Sequence, residues 1–399
     1  MKIAFVTPWY GQHVTGGMET ITRQIVTRLH GASFDVEVLT TCIRDFHADW
    51  STNFYRPGLD SFQDVPVRRF AVQKRNKAAF DQVNAQLMQG RPVSKTDAQT
   101  FLHQMFICPS LYDYIAENCD QYLFFFVPYM FPTTYFGAQI CPERSAIIPC
   151  LHDEAYAYLD IFRRVMSQVR AQIFFVHAER NLSERLYGAP SGQIRAIVGG
   201  GVDDELHGDA RRFRQKYGLG DDPFFLYVGR KERGKNVPQL LDYWRHYIHS
   251  RLSGAKLLLL GKGEVALPHN SARVMDLGFV NREDKAGAYA AATALIQPSL
   301  NESFSLVLME SWLEETPVLV HGLCSVTREH AVRANGGLYY TNYPEFAATL
   351  DYLLQHPANA RKMGQNGRKY VLENYCWPHI VAQYSEIIGQ MESVLRVTE

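Results

Sequence analysis

The run Phe224-Phe225-Leu226-Tyr227-Val228-Gly229-Arg230-Lys231-Glu232-Arg233-Gly234-Lys235-Asn236-Val237 decides the fold. Five apolar residues end at a glycine and open into a charged loop, after which residues 237–247 carry apolar side chains at helical spacing. A short run that is apolar at every position reads as a strand buried on both faces, and the helix after it as a crossover. The same unit recurs along the chain. Strands are expected at 2–7, 35–40, 67–71, 121–128, 145–150, 172–177 and 193–198 in the first half. In the second half they are expected at 224–229, 256–261, 273–276, 294–298 and 318–321, with helices between, for example at 19–29, 283–292, 305–313 and 357–373. Strands alternating with helices mean an α/β protein with parallel sheets covered on both sides.

Each half opens on its own first strand, and Gly199-Gly200-Gly201-Val202-Asp203 lies between them. With 399 residues and roughly 100–200 residues per domain, the expected division is 1–203, 204–376 and a last amphipathic segment 377–399, starting at Trp377-Pro378, that returns to the first domain. Ligands of open parallel sheets bind beyond the carboxyl ends of the strands, so two such sheets would face one another across a cleft.

Lys+Arg and Asp+Glu both number 41, and this balance excludes a dedicated nucleic-acid binder. A hydrophobic share of 46% excludes a disordered chain. No run of 18 apolar residues occurs, and Met1–Pro8 reads as a strand rather than a signal peptide. The seven cysteines are irregularly spaced without a Cys-x-x-Cys pair, which suits buried thiols in the cytoplasm. Residues 45–104 fit the alternating pattern least. Arg68, Arg69, Lys74, Arg75 and Lys77 lie there within ten residues, either as a solvated face or as a patch for anionic lipid headgroups at a membrane surface or for a phosphorylated acceptor.

Four features carry candidate chemistry. Residues 229–236 hold four cations and one acid where a helix begins, a place suited to a diphosphate. They also satisfy Gly-x-x-x-x-Gly-Lys, but Asn236 stands where a nucleotide triphosphatase needs Ser or Thr, and Leu257–Leu260 ends in Gly261-Lys262 rather than an acid. Gly16-Gly17 precedes a helix in the first half and allows close backbone approach, without the Gly-x-Gly-x-x-Gly of dinucleotide enzymes. In Pro298-Ser299-Leu300-Asn301-Glu302-Ser303-Phe304-Ser305, followed by a helix with Glu310, two carboxylates flank helix-start N–H groups. One could reach a sugar and the other a ribose. Finally, His152 in Leu151-His152-Asp153-Glu154 follows a strand and can donate to a ligand or be held by Asp153. No second His lies within three to five residues, so zinc is not expected.

Together these features resemble the family-4 retaining glycosyltransferases of the GT-B fold. Glu302 to Glu310 matches the family's Glu-x₇-Glu, followed by Glu315-Thr316-Pro317-Val318. Arg230 and Lys235 match its cation pair, Gly16-Gly17 its first-domain glycine loop and His152 its donor-sugar histidine. Gly201-Val202-Asp203 resembles the end of its first domain, and Leu277-Gly278-Phe279-Val280 its base-edge segment. Ser303 and Ser305 replace the glycines of its Glu-Gly-Phe-Gly.

The resemblance implies two Rossmann-like domains and a nucleoside-diphosphate sugar as donor, with no cofactor and no metal. The acceptor would be a glycan, a lipid-linked sugar or a small molecule. His152 and Glu302 would be catalytic. Gly16, Gly17, Arg230, Lys235, Ser303, Phe304 and Ser305 would hold the diphosphate, Glu310 the ribose, and Phe279 and Val280 the base. The alternatives are a sugar-nucleotide epimerase of the same architecture, or a non-catalytic sugar-nucleotide or glycan-binding subunit.

Overall fold

A computed structural model describes residues 1–14, 16–205, 207–251, 254–263, 265 and 273–398. The chain forms two compact units, Met1–Gly201 with Pro378–Glu399, and Val202–Trp377.

The first unit holds β1 (Lys2–Thr7), β2 (Val36–Thr41), β3 (Gly58–Phe62), β4 (Val65–Phe70), β5 (Tyr122–Phe126), β6 (Ser145–Ile147), β7 (Ala171–Phe174) and β8 (Ile194–Ile197). They form one sheet in the order β3-β4-β2-β1-β5-β6-β7-β8, parallel apart from the β3–β4 pair. β5 is buried along its whole length, and Phe125 stacks on Phe5 of β1 at 5.2 Å between ring centroids. Those large rings explain why the central strands read as unbroken apolar runs: helices cover both faces.

The second unit holds β9 (Phe224–Val228), β10 (Lys256–Leu260), β11 (Val274–Gly278), β12 (Ala294–Gln297), β13 (Val318–His321) and β14 (Gly337–Tyr340). Its sheet is wholly parallel, in the order β11-β10-β9-β12-β13-β14. The helix Trp377–Thr398 begins at the end of this unit and then belongs to the first, where Tyr384 is buried near Phe125. No helix among the described residues is long and apolar enough to cross a membrane.

Two strands were not expected from the sequence. β3 is an exposed edge strand joined to β4 through Gln63 and Asp64, both left-handed at φ 53° and 66°. Such a two-residue turn usually announces itself with Asn-Gly or Asp-Gly, and here no glycine marks it. β14 is only four residues long and starts on a glycine.

Of the five cations between residues 68 and 77, Arg69 is buried, Arg68 and Arg75 are half-buried, and Lys74 and Lys77 are exposed. Arg69 is 3% exposed, donates to the Tyr10 carbonyl at 2.9 Å and lies 3.8 Å over the Tyr55 ring. Arg68 pairs with Glu37 at 2.8 Å, and Arg75 donates to the Gln104 carbonyl at 3.0 Å. Lys77 pairs with Asp81 on the surface, and Lys74 is likewise exposed. Cys119 and Cys141 form a disulfide. Cys42, Cys108, Cys150 and Cys324 are buried free thiols.

Candidate functional site

In the second sheet β9 lies between β10 and β12, so the chain leaves β9 toward one edge and later returns on its other side. The loops after β9 and β12 thus part at a topological switch point, the usual crevice for a ligand in open α/β sheets. The β9 loop is tightly packed. A Cβ on Gly261 would fall 2.0 Å from the Gly229 carbonyl oxygen, so only glycine fits there. Residues Arg233–Lys235 make a single tight turn, and Asn236 takes the left-handed conformation at φ 57° before the helix Val237–Arg251. Its Nδ2 donates to the Pro298 carbonyl at 3.1 Å, tying this loop to the one after β12.

That tie brings the two loops' charges together. Lys235 Nζ donates to Glu302 Oε1 at 2.7 Å, and the Glu302 side chain is only 11% exposed. Arg230 remains on the surface, 3.2 Å from Glu232. Lys231 behaves differently from its neighbours. It is buried, with Nζ at 2.6 and 2.5 Å from the two carboxylate oxygens of Asp276 on β11. The basic run therefore offers Arg230, Arg233 and Lys235, and Lys231 serves to hold the loop.

Beyond Glu302, Ser303 is half-buried and Ser305 is buried at φ 70°, just before the helix Leu306–Leu313. Gln297 Nε2 donates to Ser305 Oγ at 3.4 Å. Phe304 does not present its ring to a diphosphate. It is 1% exposed and packed edge-on against His330 and Tyr375, so its backbone is what it can offer a ligand. Glu310 accepts from Lys285 Nζ at 2.6 Å and from Tyr289 Oη at 2.8 Å, both on the helix Arg282–Ala291. A carboxylate held by two donors keeps acceptor capacity for a vicinal diol. Phe279 is 76% exposed with Lys262 Nζ 5.4 Å from its ring centroid, and Val280 beside it is half-buried.

In the first unit, His152 follows β6 and its Nδ1 lies 3.4 Å from Glu154 Oε1. Asp153 is engaged by Arg185 at 2.8 Å and Tyr158 Oη at 2.6 Å. Gly16 precedes the helix Gly17–Gly31, and a Cβ on it would fall 2.1 Å from Glu19 Oε2. Trp9 Nε1 donates to the other Glu19 oxygen at 3.3 Å. The Glu19 carboxylate thus lies beside the Gly16-Gly17 loop. Sequence reasoning missed Glu179, which is 1% exposed in the first turn of the helix His177–Tyr187. Burial pushes its carboxyl up to about 7. An acid in a first helical turn is ordinarily a surface residue, so nothing local signalled its burial.

Residues 209–370 match the family model of the group 1 glycosyl transferases. A D-inositol 3-phosphate glycosyltransferase of Nocardiopsis dassonvillei is 30% identical over 204 residues, 46% of this chain and 47% of that one. An uncharacterized glycosyltransferase of Methanocaldococcus jannaschii is 25% identical over 216 residues, 50% of this chain and 54% of that one. The matches thus span about half the length of these relatives. Among solved structures, Anabaena HepE in complex with UDP superposes with a TM-score of 0.72 at 16% identity, over 98% of this chain and 100% of that one. Likeness over nearly the whole chain identifies the fold as GT-B.

Proposed function

From the group 1 glycosyl transferase domain formed by residues 209–370, we propose that the chain is a retaining glycosyltransferase. It moves a sugar from a nucleoside diphosphate to a glycan, lipid-linked or small-molecule acceptor without a metal. The observation that carries this reading is the Lys235–Glu302 contact at 2.7 Å, which joins a cation after β9 to a carboxylate after β12 at the switch point. The donor's diphosphate takes the ammonium of Lys235 and the guanidinium of Arg230, which offset the charge that grows as the glycosidic C–O bond breaks. Charge stabilisation that strengthens toward the transition state is what lowers a barrier.

Glu302, released from Lys235 by the diphosphate, orients the sugar and stabilises its oxocarbenium-like carbon. The acceptor hydroxyl attacks from the face the leaving group vacates. Its oxygen bonds to the anomeric carbon, and its proton passes to the departing phosphate oxygen. Glu310 accepts from the ribose hydroxyls, Phe279 and Val280 border the base, Gly16 and Gly17 allow backbone approach, and His152 donates to the donor sugar.

UDP is the nucleotide to try first, since HepE holds it. UDP or GDP should raise the melting temperature, and Lys235→Ala should shrink that shift. Slow hydrolysis of the sugar nucleotide by the wild type, lost in Glu302→Ala, separates a transferase from a binding subunit, and an epimerised donor recovered without acceptor would point to an epimerase. Activity should survive EDTA; a strict divalent requirement would overturn the metal-free mechanism. No stabilisation by any nucleotide would overturn the donor site.

A further inference from the structure

His152 is reached through an unusual piece of backbone. β6 ends at Ile147, and three residues later Cys150 adopts φ 55°, a left-handed conformation at a residue with a side chain. Such a conformation is strained and persists only where surrounding groups hold it. The holding group is Glu179. One carboxylate oxygen accepts from the Leu151 N–H at 2.8 Å and the other from the Phe175 N–H at 2.7 Å. The Cys150 N–H also donates to this carboxylate. A single buried side chain thus clasps both residues that lead into His152 and anchors them to the end of β7.

A carboxylate is an expensive choice for a site that is 1% exposed. A core requirement alone would be met by an apolar side chain and a turn built from glycine. The titratable groups facing the carboxylate are the Cys150 thiol, buried and pushed upward, the Tyr384 phenol from the last helix, also raised by burial, and the His152 imidazole. The three N–H groups are its solvation.

We propose that Glu179 is a positioning residue for the reaction: it fixes the left-handed turn at Cys150 and so sets where the His152 imidazole points. This rests on the reading of His152 as a group that meets the donor sugar. Glu179 itself touches no substrate.

The test is a double-mutant cycle on the full chain. Glu179→Gln keeps the shape but turns one N–H acceptor into a donor, and Glu179→Asp keeps the charge but is one methylene too short to reach both N–H groups. Each should lower kcat by about tenfold to a hundredfold, the scale of an ångström-level misplacement. UDP affinity, read by thermal shift or calorimetry, should stay within about twofold, since an interaction that acts through His152 leaves ground-state nucleotide binding alone. In a His152→Ala background, Glu179→Gln should cost almost nothing further, because a residue that acts only through another loses its effect with it.

An undiminished loss in that background would overturn the proposal and make Glu179 a general structural residue. Full activity of Glu179→Gln, with His152→Ala impaired, would overturn it while leaving the role of His152 intact. Full activity of His152→Ala would instead overturn the underlying reading. If the glutamine variant does not fold, the aspartate variant carries the same comparison.

Discussion

Each unit has a place where its first strand runs out toward the helix that follows it, and the two places carry opposite charge. In the first unit the residue that closes on Gly16 is Glu19, whose carboxylate also accepts from Trp9. In the second unit the equivalent stretch after β9 presents Arg230 and Lys235. Both helices begin with the same excess of free N–H groups and the same positive dipole end. The first unit answers that field with its own acid, while the second adds cations to it. On the proposed function, the contrast makes the second junction the one expected to carry most of the diphosphate's charge.

The largest effect expected from this contrast is at Lys235. Lys235→Ala should lower turnover about 10²–10³-fold, the usual cost of removing one donor to a developing charge, whereas Glu19→Gln should leave the thermal shift given by UDP essentially unchanged. If both variants weaken UDP equally, the two junctions share the diphosphate and the contrast fails. Glu302→Gln adds resolution. It releases Lys235 from its carboxylate, so UDP should bind as well or better while turnover falls by about 10².

The units should also answer pH in opposite directions. Glu179 in the first has its carboxyl raised from 4.5 to about 7 by burial. The unfolded chain gives up that proton first, so this contribution is present below about 4.5 and is lost as pH rises through about 7. His330 in the second is lowered from 6.5 to about 3, chiefly by burial among Phe304, Tyr370 and Tyr375. There the unfolded chain takes up the proton first, so stability present above 6.5 is lost as pH falls toward about 3. Each slope is about 1.4 kcal/mol per pH unit for one proton. Denaturation across pH should show Glu179→Gln flattening the loss on raising pH from about 4.5 to 7 and His330→Gln the loss on lowering it from 6.5 toward about 3. One variant altering both limbs would mean that the assignments are wrong.

The smallest effect concerns Ser305, left-handed at φ 70°. Ser305→Gly should raise stability by up to about 1 kcal/mol, the strain released less the extra freedom of the unfolded chain. Calorimetry checks this, and a loss of stability would show that the Gln297–Ser305 contact outweighs the strain.

The strands most legible in the sequence were those buried on both faces. β1, β5, β9 and β13 are unbroken or nearly unbroken apolar runs because helices cover them, and periodicity reports burial directly. β3 escaped because an exposed edge strand has no buried face to imprint a pattern. The Glu302–Glu310 stretch and the basic run near Val237 were also legible, because their spacing along one loop and one helix is local.

What lay beyond the sequence was the partner of each charge. Arg230 and Lys231 are adjacent and alike in composition, yet one stays exposed while the other is buried against Asp276, 45 residues away. Arg69 and Lys74 sit in one basic cluster, but only the first is roofed by Tyr55 and Tyr10. Glu179 looks like any acid at a helix start until strand order brings the Cys150–Leu151 turn over it. Residue type and local spacing set which segments are strands, which are helices and where charge is available. Whether a given charge meets solvent, a substrate or a buried counter-group depends on desolvation and on neighbours far off in the chain, and those exist only once the sheets have assembled.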